Sequence, residues 1–180
     1  MTEQEAIVRW RASAEDVLDR IRYVAEHAEE QKLHDRVDGL WSPAEVLDHL
    51  VQSHAPYLAE MASALPTAPQ TPVGAPVKYS WLGGFIVSNA GPKGNVPAPR
   101  NLYPRPGVRF EAGLDVWVKQ QQELLQLLDA APSKHLSAVK IRNPFLKFLR
   151  MKLVDGFGII EQHNERHVQQ IESRAGVRRP

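Results

Sequence analysis

Apolar residues recur near the start of the chain in alternating steps of three and four: Ile7, Trp10, Ala14, Val17, Ile21, Val24 and Ala28. That spacing lays one apolar stripe along a helix and predicts a first long helix over residues 4–31. Asp38-Gly39 marks a turn, and the next helix has a clear start. Ser42 is a good N-cap, Pro43 occupies the first helical position and Glu45 falls three residues after the cap. This second helix is expected from Pro43 to about Leu65, with Pro56 removing one backbone donor inside it. A third periodic segment, about 110–131, carries Leu114, Trp117, Gln121, Leu124 and Leu128 on one stripe and stops at Pro132. A fourth covers roughly 148–175 and ends at Gly176, a normal C-cap residue. No segment shows a convincing strand pattern. Four amphipathic helices predict an all-α, four-helix bundle forming a single domain over 1–180.

Between the second and third helices the texture changes. Nine of the 14 prolines and six of the 11 glycines fall between Pro66 and Gly107. A connection this long inside one domain is uncommon and is usually functional or disordered. The apolar interval Ser80–Asn89, with Trp81, Leu82, Phe85, Ile86 and Val87, predicts a short helix packed on the body, so 66–109 reads as a lid.

Composition narrows the class of function. The chain is long enough for one proper core, has no apolar run of membrane-spanning length, and its acidic start is not expected to act as a secretory signal. It contains no cysteine, so any transition metal must be held by nitrogen and oxygen. A cytoplasmic location is the default expectation, with no membrane role. The net charge of +1 hides an asymmetry: residues 61–110 carry five bases and no acid, and 130–154 carry six bases and no acid. The first 60 residues hold 13 acids against six bases, and such acidic helices would repel a duplex. Nucleic acid is therefore not the expected partner.

The candidate chemistry lies in histidines. His163 and His167 stand one helical turn apart on the face shared with Gly156, Ile160 and Ile171, so both point inward and can reach one cation. A bare pair of this spacing also occurs on solvated faces. His49 lies near the stripe of Val46, Leu50 and Leu58, where a lone histidine is more often a core residue than a ligand. Three inward histidines on two helices would otherwise cluster as uncompensated polar groups. Three nitrogens and one open position make a catalytic type of coordination shell, unlike a closed structural site. The remaining histidines, His27, His34, His54 and His135, lack a partner pattern and read as surface residues. His54, five positions from His49, is expected to point well away from it.

The run Trp41-Ser42-Pro43-x-Glu45-x-x-x-His49-Leu50, together with His163-x-x-x-His167-x-x-Gln170 closing the last helix, resembles the DinB/YfiT-like superfamily. This is the damage-inducible helical family, distinct from the polymerase that shares the name. The resemblance runs from the first helix to Ile171. It implies an up-down-down-up bundle, a divalent metal (zinc or nickel foremost) on His49, His163 and His167, and frequent homodimers. Relatives of that type include thiol S-transferases using bacillithiol, mycothiol or glutathione, and metal-dependent hydrolases. A low-molecular-weight thiol as cosubstrate and a small-molecule substrate are therefore expected.

Around the triad, Glu45, Gln52 and Gln170 are candidates to orient a ligand or accept a proton. Glu45 has an equally good reading as a capping-box residue bonded to Ser42. Trp41 and Trp81 are candidates to line a substrate pocket, and Arg100 and Arg105 to attract an anion. Solvated loop charges balancing acidic helices are the plainer reading of those arginines. A metal-dependent transferase or hydrolase, a metal-dependent ligand-binding or stress-response module, and a helical interaction protein with structural histidines all remain open.

Overall fold

Thr2 starts the first helix with a reciprocal cap: its hydroxyl accepts the Glu5 backbone N–H at 3.2 Å, and the Glu5 carboxylate accepts the Thr2 N–H at 2.8 Å. The computed structural model describes residues 1–94, 97–146 and 148–180. In it α1 spans Glu3–His27 and ends where Ala28 turns extended, rather than running on to residue 31. The next large apolar residue, Leu33, lies five positions beyond Ala28 and off the stripe. A break lets the short α2 (Glu30–His34) turn Leu33 inward, to 4% exposure.

The second long helix, α3 (Pro43–Ala64), begins with the Ser42–Glu45 capping box and continues through Pro56. In the connection that follows, the short helix α4 (Trp81–Ala90) forms where the apolar interval predicts it. Its start is tied to the last helix: buried Asp155 accepts the Ser80 backbone N–H at 2.9 Å and the Ser80 hydroxyl. Gly83 permits this close approach, since a Cβ there would stand 2.0 Å from the Asp155 carboxyl carbon. The connection therefore packs against the body rather than hanging from it.

Helix α5 spans Phe110–Ala130. The last helix, α6 (Leu153–Ala175), starts later than expected, because residues 150–152 belong to a strand. Contrary to the strandless expectation, β1 (Lys140–Arg142) pairs antiparallel with β2 (Arg150–Lys152), with Ile141 opposite Met151. Asn143 turns the chain by accepting the Phe145 and Leu146 N–H groups at 3.0 and 2.8 Å. Three-residue strands turn only one residue each inward (Ile141 and Met151), too short a pattern for alternation to stand out.

The molecule is thus mostly helical with one small two-stranded sheet. Its core falls into two apolar clusters. One joins the N-terminal halves of α1 and α6 to the C-terminal halves of α3 and α5, around Trp10 stacked on Phe157 at 5.4 Å. The other joins the opposite halves around Trp117, Phe110, Leu47 and Ile171. Between them lies a waist of buried polar side chains: Ser53 and His54 of α3, Gln120 and Gln121 of α5, Asn164 and His167 of α6. No helix among the described residues is long and apolar enough to cross a membrane.

Candidate metal centre

The waist brings α3 and α6 together so that His49, His163 and His167 meet. The Nε2 atom of His163 lies 3.3 Å from that of His49 and 3.1 Å from that of His167. The outer nitrogens are held as well. His49 Nδ1 donates to the Leu102 carbonyl at 2.8 Å, and His167 Nδ1 to the Gln170 side-chain oxygen at 2.8 Å. His163 Nδ1 lies 3.1 Å from His54 Nε2.

These partners decide where the protons sit. Leu102 and Gln170 present oxygens that only accept, so His49 and His167 carry hydrogen on Nδ1 and direct Nε2 lone pairs at His163. Burial holds all three rings well on the neutral side, with each pKa pushed below its ordinary value. If His163 donates from Nδ1 to His54, three lone pairs converge and only a cation reconciles them. If His54 donates instead, the His163 Nε2 proton faces the other two rings. The proton shared between His54 and His163 therefore decides whether His163 Nε2 is free to bind a metal. His54 is 1% exposed, burial pushes its pKa down to about 3, and its Nδ1 has no hydrogen-bond partner among the described residues.

Donor chemistry and spacing both fit a divalent ion. Three nitrogens around zinc in tetrahedral geometry stand roughly 3.3 Å apart, close to the 3.1 and 3.3 Å found here. The three candidate ligand atoms all lie within 4.8 Å of one another. Such a group can hold one metal ion and leaves a coordination position open.

That open side faces a cavity of about 480 Å³, within the range of small-molecule sites. Trp41 lies against His49, ring centroids 5.3 Å apart, and meets Tyr103 edge-on. Phe85 and Ile86 of α4, Phe145 beyond β1 and Ile159 of α6 supply further apolar wall. The cavity also holds Arg166, Gln170 and Arg174, all from α6.

Other expected site residues lie elsewhere. Glu45 caps α3 and pairs with Arg36, whose guanidinium holds its carboxyl below the ordinary carboxylate value. Gln52 donates to Asp48 at 2.8 Å and to the Tyr103 carbonyl at 3.2 Å, fastening the connection rather than a histidine. Arg105 forks onto the buried Asp48. Trp81 is 89% exposed, and neither it nor Arg100 lines the cavity. Of the three candidates near the triad, Gln170 is the one that bonds a triad histidine.

His54 does not point away; it touches the far nitrogen of His163. Its offset of about 140° around α3 from His49 suits it to the opposite edge of the same ring. The inward placement of both α3 histidines was the available signal. Arg166, three positions after His163, and Arg174, seven after His167, carry a comparable signal in their helical spacing.

A helical protein with three histidine nitrogens converging beside a cavity is the class defined so far. Residues 13–171 match the model of the DinB superfamily, and the chain belongs to that family. No curated protein and no solved structure matches it.

Proposed function

We propose that this DinB-superfamily protein is a metal-dependent enzyme whose His49, His163 and His167 hold a zinc or nickel ion beside a substrate cavity. The observation that carries this reading is the convergence of three Nε2 atoms whose Nδ1 atoms are already engaged. A divalent ion held by these three histidines would supply Lewis-acid chemistry, lowering the pKa of a water or thiol so that it is nucleophilic at neutral pH. The protein's own part is to position. Leu102, Gln170 and His54 fix the three rings, and Trp41, Phe85 and Ile86 give the cavity an apolar wall against which an electrophile can lie. A thiol S-transferase or a hydrolase fits this arrangement, acting on a small molecule.

The same reading takes the four long helices as an up-down-down-up bundle. Its support is that α1 and α6 enter one core cluster by their N-terminal halves while α3 and α5 enter it by their C-terminal halves. Parallel neighbours α3 and α5 then need a long return connection, which residues 66–109 provide.

One observation favours a non-catalytic metal-dependent binding module as the second reading. Among the described residues no carboxylate lines the cavity, so none stands ready as a general base. Metal quantification of purified protein, then assay with bacillithiol, mycothiol and glutathione against an electrophile and with generic esters and amides, tests both. Bound metal with thiol-dependent turnover supports the transferase. Bound metal with no turnover on any of them favours the module, and a protein taking up no divalent ion ends both readings.

A further inference from the structure

The cavity is charged on one side only. It contains two guanidiniums, Arg166 and Arg174, and no acidic side chain among the described residues that line it. Most arginines of this chain are paired: Arg20 with Glu172 and Glu165, Arg36 with Glu45, Arg105 with Asp48. Arg166 and Arg174 form no ion pair among the described residues, although both are half-buried. Arg174 donates to the Trp41 carbonyl at 2.7 Å; burial lowers its pKa, and the Glu45 carboxylate offsets that only in part, without forming an ion pair with it. The charge of Arg166 bears on all three triad histidines and lowers the pKa of each. Neutral imidazoles bring no negative charge of their own. A divalent ion on the triad would therefore stack two positive centres in a low-dielectric recess, and only a bound anion relieves that.

We propose that the ligand of this cavity is a small organic oxyanion, its charged group received by Arg166 beside the triad and its apolar body lying against Trp41, Phe85 and Phe145. Arg174, already fastened to Trp41, adds long-range attraction rather than a fork. A guanidinium offers a planar pair of donors to a carboxylate or a phosphate, and the aromatic walls reject a ligand that is charged throughout. The proposal names the substrate class of the metal centre described above and rests on that reading.

Titration calorimetry and tryptophan quenching with benzoate, phenyl phosphate and the neutral analogue benzamide test it, on zinc-loaded and metal-free protein with zinc measured in each sample. Benzoate or phenyl phosphate should bind at least about tenfold more tightly than benzamide, and the tighter of the two identifies the oxyanion. Arg166→Gln should weaken the anion by about 10- to 100-fold and leave benzamide unchanged. Arg174→Gln should have a smaller effect, and Arg166→Lys should retain part of the preference. Arg22→Gln, an exposed change of equal charge on α1, should do nothing. Thermal unfolding confirms that each variant is folded. Benzamide binding as tightly as benzoate, no binding by any probe, or an unaffected Arg166→Gln overturns the proposal. Stoichiometric zinc without anion preference removes this inference alone, whereas anion preference in protein that takes up no zinc removes the metal reading alone.

Discussion

Asn164 and His163 are neighbours on α6, yet they serve opposite sides of the waist in different ways. Asn164 faces α5 and donates to the Gln121 side-chain oxygen at 3.1 Å, both residues being 1% exposed. That contact is a closed pair that satisfies part of two amides and opens onto nothing. His163 faces α3, touches three other imidazoles and keeps surface toward the cavity. Burial of polar groups is common to both. What separates a structural polar contact from a candidate site is surplus: three ring nitrogens converging on one point, and empty space beside them.

The sharpest way to test this contrast is to remove one side at a time. His163→Ala should cost the protein its divalent ion, with affinity falling by more than the roughly 100-fold that loss of an outer partner brings; metal analysis after dialysis reads it. Asn164→Leu should leave metal content intact but strand Gln121, lowering stability by about 1–3 kcal/mol in denaturant unfolding. Adding Gln121→Leu should recover much of that loss, because removing both partners of a buried bond is close to neutral. If the double variant lost metal instead, the two sides of the waist would not be separate devices.

Two gentler perturbations refine the histidine side. His54→Phe keeps the bulk but removes the partner of His163 Nδ1, and Gln170→Ala frees the His167 ring. Each should weaken metal binding by roughly 10- to 100-fold without abolishing it, measured by competition with a chelator. The smallest expected effect is one of pH. Histidines whose folded pKa lies below the unfolded value contribute full stability above about pH 6.5, and lose it as pH falls through that value toward the folded one. The metal-free protein should therefore show a Tm that declines from about pH 6.5 downward. His54→Phe, lacking the ring held down to about 3, should decline less steeply.

The long helices could be read from the chain because each repeats its apolar stripe over several turns, and the triad because His163 and His167 share an inward face with Ile160 and Ile171. Other features left weaker traces. Ending α1 at Ala28 depends on where Leu33 can be buried, which is decided by tertiary packing. The β1–β2 hairpin is too short to set a period. His54 reads as a surface residue because it lacks a partner pattern and sits five positions from His49, whereas what matters is which nitrogen of His163 it reaches. The arginines of the basic loops stood out as a run of unbalanced charge, but Arg105 is neutralised by Asp48, while Arg166 and Arg174, hidden in an evenly charged helix, line the cavity. Charge counted along the sequence says little about charge left unpaired in space.

The hydrogen bond from His49 Nδ1 to the Leu102 carbonyl ties a ring of the triad to the backbone of the proline-rich connection, 53 positions away. That connection also supplies Phe85 and Ile86 to the cavity wall. Whatever seats itself against that wall and shifts the turn at Leu102 alters the aim of His49, and coupling of this kind runs equally in both directions. Occupancy of the cavity and occupancy of the triad would then share one coupling free energy, so the affinity measured for either would carry information about the other.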